Sequence, residues 1–387
     1  MIKTLVAQTE EIDDIQAAII EIKKQLNLEE NLKKNSVGII ACHYEFVLSK
    51  MVKALCEALP FDVVGTITTA QAVNDQSGTL LFTMMVLTSD TEEFVTTLTP
   101  SLSKEPGRVI EEAYIESAKI KGDERPALIL AYAPFMLANS GDEYVNVITK
   151  ASGGVPCFGT LSVDDTLEFS NCFSIYNGED YRDSMAMVLI YGDISPRFYI
   201  ATISQEKIVG KPAKVTKSSG HILMEVNDRP VVDYFSDLGL TKASETQYAM
   251  SSLPFMLDYE DNTPSVSKVF IGLTPEKYAI CAGAMPEGST LYIGVFDKQD
   301  VLLTTGNAIE SMKKEMQNAS GLLIYSCISR NMSMGANLLD ELDLVKDNAG
   351  GLPFMMAYSG GEICPTQVSE TRAVNRFHNN AFVACLF

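Results

Sequence analysis

Four short segments place reactive or small polar side chains at the ends of apolar runs. They are Gly65-Thr66-Ile67-Thr68-Thr69, Gly159-Thr160-Leu161-Ser162, Cys327-Ile328-Ser329-Arg330 and Tyr358-Ser359-Gly360-Gly361-Glu362. The last two are the richest. Paired glycines adopt backbone conformations closed to other residues, so successive amides at Gly360 and Gly361 can converge on an anion. Glu362 beside them suits a cation, and Arg330 suits a bidentate grip on a carboxylate. Together they fit a zwitterion such as an amino acid. A tight turn with an ordinary Arg330–Glu362 ion pair accounts for the same residues.

Cysteine catalysis needs a thiolate and a base, and the chain offers three histidines: His43, His221 and His378. Cys327 with His378 is the best such pair, against the plainer reading of Cys327 as a packing residue. Cys42 and His43 are adjacent, so on a strand they face opposite sides, and no metal site is expected. The eight cysteines show no C-x-x-C spacing and read as reduced, while the 17 methionines are scattered as core filler. The sequence contains no P-loop, no G-x-G-x-x-G, no G-x-S-x-G and no H-E-x-x-H, so no cofactor is expected. Asp164-Asp165 reads as a solvated turn in an acidic chain.

The elements that must carry these residues repeat. An apolar strand, a helix and a second apolar strand recur at Val37–Cys42, Phe46–Leu59 and Asp62–Thr69, and again at Ala127–Tyr132, Gly141–Lys150 and Val155–Thr160. The third copy has Gly321–Cys327, Met332–Val345 and Leu352–Gly361. Three βαβ-like units imply an α/β, mixed α+β fold, and ligands in such sheets collect beyond the carboxyl ends of the strands. Hairpin-like strands at Asp193–Ser204, Val266–Leu273, Tyr278–Cys281 and Thr290–Phe296 make the sheets mixed. An amphipathic helix is predicted over Glu10–Lys34, with Thr9 as N-cap and Ile12, Ile15, Ile19, Ile22 and Leu26 on its buried stripe. Lys207–Ser219 reads as a junction, which divides the chain into 1–35, 36–215 and 216–387, the latter two as related domains, each a mixed sheet flanked by helices.

The 387 residues carry 30 Lys+Arg against 50 Asp+Glu, a net charge of −20. The excess is even: 18 basic against 30 acidic residues up to residue 215, and 12 against 20 beyond it. Such a surface repels phosphate backbones and anionic lipid, so neither nucleic acid nor membrane insertion is expected. The opening residues run at once into the acidic Glu10–Asp14 instead of an apolar leader, and a cytoplasmic location is expected.

The chain resembles the FIST-domain family. The resemblance rests on an ordered set: Ile222–Tyr234, Met285-Pro286-Glu287-Gly288-Ser289-Thr290, Cys327 with Arg330, Leu352–Ile363 followed by Pro365, and Phe377-His378-Asn379. In the first half Ala58–Ala70 looks like the matching half-site. It implies a FIST N domain followed by a FIST C domain and a sensory role toward small ligands, amino acids among them. The residues it implies are Cys327, Arg330, Tyr358, Ser359, Gly360, Gly361, Glu362, His378 and Asn379, with Gly65, Thr68 and Thr69 in the first half-site. The family often continues Thr-Thr-Ala with Gly and Glu, whereas Gln71 and Ala72 stand here, which puts the first half-site in doubt. With no output domain expected in the chain, the signal would pass to a separate protein in trans. Rival readings are an interaction scaffold, a structural homo-oligomer and a cysteine- or carboxylate-dependent enzyme; the oligomeric state is left open. On the sensor reading, Glu362→Ala and Arg330→Ala abolish ligand stabilisation and leave the apo protein folded.

Overall fold

A computed structural model describes residues 1–166, 169–239, 254–369 and 372–387. Three six-stranded sheets form the body, and each is centred on one of the repeated units. The central strands pair in parallel: Asn35–Cys42 with Asp62–Ile67, Leu128–Pro134 with Cys157–Ser162, and Leu322–Cys327 with Phe354–Ser359. Parallel neighbours need a crossover, and in each case helical segments lie between them. These strands are buried on both faces, which is why they read as unbroken apolar runs and not as alternating ones.

The other pairings are antiparallel. Each sheet is flanked on one side by two strands of its own unit, and on the other by a hairpin from a different unit. The hairpin Gln71–Val73/Gln76–Gly78 of the first unit joins the third sheet. Ser174–Tyr176/Glu179–Tyr181 of the second joins the first sheet. Glu362–Ser369/Arg372–His378 of the third joins the second sheet. The exchange is cyclic, so the repeat is threefold and knits one body, where the sequence suggests two related halves.

The inward faces of all three sheets share one core, with Val37 and Ile39, Leu128 and Leu130, and Leu323 and Tyr325 among its members. Helices cover each outer face. Ile15–Leu26 and Met51–Glu57 pack on the first sheet, Pro106–Ala118 and Gly141–Ser152 on the second, and Lys298–Met316 and Asp340–Asn348 on the third. This is the layered arrangement that lets each apolar face find a partner.

A β-rich insert occupies the third unit between Ile208 and Gly294. It forms an eight-stranded sheet around its own core, including Val215, Leu223, Phe235, Phe255 and Leu291. Lys207–Ser219 is therefore no linker: Ile208–Ser219 is a strand of this insert, and the division expected at residue 215 falls inside it. Only Ala213 and Val215 of that strand are buried, too few to show as periodicity.

Helix boundaries also move. Lys3–Thr9 is a strand, and the first helix runs Ile15–Leu26 with the Asp14 side chain accepting from Ala17 N at 3.0 Å. Ala18, Ile19, Ile22 and Leu26 are its buried stripe, packed within the body. The helix expected at Met332–Val345 is two, Ile328–Ser333 and Asp340–Asn348, interrupted at Gly335, whose φ of +61° ends a helical turn. The helix expected at Phe46–Leu59 breaks likewise at Lys50, φ +69°.

Candidate ligand-binding site

Strand Leu322–Cys327 ends in Cys327, which caps the helix Ile328–Ser333. That helix turns Arg330 inward, away from any ligand. The side chain is fully buried, and its Nε and Nη2 lie 2.9 and 2.7 Å from Oε1 of Glu341. Nη2 also donates to Thr305 Oγ1 at 2.7 Å and the Val301 carbonyl at 3.2 Å, and the guanidinium sits 5.5 Å from the Phe296 ring centre. Glu341 is buried too, accepting from Thr305 Oγ1 at 2.6 Å and Ser326 Oγ at 2.9 Å. The arginine's ion-pair partner is Glu341, not Glu362. Tyr358 lies beside this network with its hydroxyl unpartnered; burial, and then Glu341 nearby, hold its phenol well above the usual value.

Gly360 and Gly361 form the elbow by which the chain leaves the third sheet for the second. Gly360 N donates to the Leu161 carbonyl at 2.8 Å, and the Gly361 carbonyl accepts from Leu161 N at 3.0 Å and Thr160 Oγ1 at 2.9 Å. A Cβ on Gly360 would meet Ser162 O at 2.8 Å; one on Gly361, where φ is +133°, would meet the Phe377 ring at 2.3 Å. The pair exists to let two strands cross closely, and the Gly360 amide is already spent, so the expected anion nest is not formed there.

Glu362 opens the exchanged hairpin opposite Thr160. It is fully buried, its Oε1 accepts from Ser359 Oγ at 2.9 Å, and its Oε2 has no conventional hydrogen-bond partner. Burial, the largest influence, holds the carboxyl well above its usual value and favours the protonated form over a cation holder. The folded state keeps a proton that the unfolded chain releases above about pH 4.3, so this group lowers stability as pH rises past that value. Glu362→Gln mimics the protonated form. The difference in urea midpoint between variant and wild type should be constant below pH 4 and should move in the variant's favour between pH 5 and 8; a difference flat across the whole range contradicts a protonated Glu362.

Gln71 takes in the third sheet the place of Glu362 in the second, opening its hairpin opposite Ala357. Its Nε2 donates to Thr68 Oγ1, and both side chains are buried. Gln71 Oε1 and Thr69 Oγ1 have no partner. Gly65 has a packing reason to be glycine: a Cβ there would lie 2.3 Å from Ile40 O. Gly65, Thr68 and Thr69 thus belong to a close, buried crossing between sheets.

His378 does not reach Cys327. Its Nε2 lies 3.3 Å from Thr366 Oγ1 and 3.2 Å from the Cys364 carbonyl, and burial pulls its pKa down to about 4. The Cys327 thiol is pushed up to about 12 by burial and then by Glu362, so neither half of the catalytic pair is in its working state at pH 7. Among the described residues no group of three His, Cys, Asp or Glu is placed to hold a metal ion.

The open space lies nearby. A cavity of ≈ 100 Å³ sits beyond the carboxyl ends of the second and third units' strands, where the α/β rule places ligands. Cys327, Gly360 and Asn379, three of the residues singled out from the sequence, line it. Ile328, Ser329 and Met332 add the face of the short helix; Phe135, Val163 and Phe169 come from the second unit. Val269, Phe270, Ile271 and Ala282 come from the insert. Phe135 and Val163 immediately follow strands Leu128–Pro134 and Cys157–Ser162, so the strand-end rule finds them; nothing local to the sequence marks the insert residues. Ser329 Oγ is held by Asn380 Oδ1. Asn379 is 1% exposed and its Oδ1 has no hydrogen-bond partner. A buried acceptor without a protein partner on a largely apolar wall suits a ligand that carries a hydrogen-bond donor.

Compared with known families, residues 36–229 match the FIST N domain and residues 232–365 the FIST C domain. The chain belongs to the FIST family. FIST domains are sensory domains of signal transduction. The two matches meet between residues 229 and 232, inside the β-rich insert of this FIST protein. No curated protein sequence matches it. Among the described residues no helix is long and apolar enough to cross a membrane.

Proposed function

We propose that this FIST protein is a sensory module whose cavity binds a small, uncharged, largely apolar ligand through Asn379, and that the bound state is read by a separate protein. The observation that carries the reading is the unpartnered Asn379 Oδ1 on an apolar wall at the strand ends. It asks for a ligand with one hydrogen-bond donor and an apolar body. The volume, several times the ~10–15 Å³ that admits one water, accommodates a molecule of a few heavy atoms. The amino-acid expectation rested on Arg330 and Glu362. With Arg330 paired to Glu341 and neither Arg330 nor Glu362 on the cavity wall, the described part of that wall offers a zwitterion no charged partner.

A thermal-shift panel of short alcohols, primary and secondary amides, and amino acids tests this. Donor-bearing neutral compounds should raise Tm, since a ligand at a hundred times its Kd adds about 2.7 kcal/mol to the native state. Asn379→Leu, which fills the acceptor's place with apolar surface, should weaken any hit at least tenfold. Stabilisation by amino acids alone overturns the ligand class, and no shift from any compound overturns the sensor reading.

A further inference from the structure

The insert has a hydrophobic core of its own, and only Ala282, with Val269 and Ile271 beside it, joins the outer core of the second sheet. The chain enters the insert through residues 203–207 and leaves through residues 295–297, and these segments run side by side. Val295 N donates to the Lys207 carbonyl at 2.9 Å, and Lys207 Nζ pairs with Asp300 Oδ1 at 2.8 Å. A small apolar cluster of Ile203, Met256, Phe296, Val301 and Met334 packs around this stalk.

A second junction between the two bodies joins that apolar contact to two ion pairs, one of them Arg376 of the body with Asp261 of the insert. Lys268 of the insert is fully buried, with Nζ 2.8 and 3.0 Å from the two Asp142 oxygens and 2.9 Å from the Phe377 carbonyl. Ala284 N donates to Asp142 Oδ2 at 2.7 Å, and Asn379 N to the Ser267 carbonyl at 3.2 Å. The cavity lies at this same junction, because Val269, Phe270 and Ile271 follow Lys268 directly.

A buried ion pair gives back on opening much of what it gives on closing, since both ions regain water. The insert keeps its own core in either state, so the junction can part without unfolding it. We propose that the insert is a lid on the cavity, pivoting on the stalk of residues 203–207 and 295–297 and latched by Lys268 on Asp142. A ligand touching both the lid and the body binds the shut state better and shifts the population toward it. This regulatory step rests on the reading of the cavity as a ligand site, but its test needs no ligand.

Cys327 lines the cavity, whereas Cys157 and Cys385 are wholly buried in the sheets. Labelling with N-ethylmaleimide at pH 7.5, followed by peptide mass mapping, therefore separates lid opening from global unfolding. Lys268→Ala strands the Asp142 charge only when the lid is shut. It should label Cys327 at least tenfold faster than wild type, with Cys157 and Cys385 unchanged. A staple provides the opposite arm and a check should that variant fail to fold: a Cβ on Gly283 falls 2.6 Å from Asp142 Oδ2, which brings the two positions into disulfide range. In D142C/G283C/K268M the oxidised protein should label Cys327 at least tenfold more slowly than the same protein reduced and desalted. Equal rates in the two redox states, or Cys327 labelled in step with Cys157 and Cys385, overturn the lid. A ligand panel without hits beside these rate changes removes the sensor reading and leaves the lid standing.

Discussion

Arg330→Ala should destabilise the protein by about 3–5 kcal/mol, the cost of stranding a buried charge by removing its partner. Glu341 is the group stranded. It is fully buried, and loss of the guanidinium removes the two donors at 2.9 and 2.7 Å, leaving only Thr305 and Ser326. The expected fall in Tm is roughly 5 °C. This reverses the expectation drawn from the residues alone, in which Arg330 clamps a ligand carboxylate and its loss leaves the apo protein intact. Two further variants separate the accounts. Arg330→Lys should recover little, because an ammonium cannot reproduce the fork that reaches Glu341, Thr305 and the Val301 carbonyl together. R330M/E341L removes both charges and should recover most of the loss, since a buried pair replaced by apolar groups of similar volume is often neutral. An Arg330→Ala protein with wild-type urea midpoint contradicts the structural role.

Gly65→Ala should cost about 3 kcal/mol while leaving the affinity of any cavity ligand unchanged. The added Cβ would stand 2.3 Å from Ile40 O and 2.4 Å from Ile40 Cγ1, on the parallel neighbour strand, so the backbone itself must shift. Gly159 holds the equivalent register in the second sheet, opposite Ala131 as Gly65 is opposite Ile40, and a Cβ there would be 1.9 Å from Ala131 O. Urea denaturation and ligand titration of the same variant check both halves. A changed affinity at unchanged stability would return Gly65 to a binding role.

The parallel strand pairs were legible because strands buried on both faces write long apolar runs, as at Val37–Cys42 and Gly321–Cys327. Cys327, Gly360 and Asn379 followed from strand ends and from the family resemblance. Arg330 misled for a physical reason: its type and position suit a carboxylate, but which of 50 acidic residues supplies it depends on where the chain breaks at Gly335 and returns in Asp340–Asn348. The exchanged hairpins were illegible because strands such as Gln71–Val73 and Ser174–Tyr176 are three residues long, too short to express a period. With them went the threefold repeat. The insert's contribution to the cavity was hidden as well, since Val269–Ile271 and Ala282 look like ordinary hairpin residues until the tertiary fold seats them over Cys327.

On the proposed function, the cavity beneath the insert takes a ligand held by Asn379. Methyl NMR tests it most directly, with a hit from the thermal panel titrated into wild type and Asn379→Leu. The Ile271, Ile328 and Met332 methyls, all on the cavity wall, should shift in saturable fashion in wild type and at least tenfold more weakly in the variant. Ile39 and Met355, in the shared core, should stay still. Saturable shifts elsewhere, or wall methyls that respond equally in both proteins, would contradict the assignment.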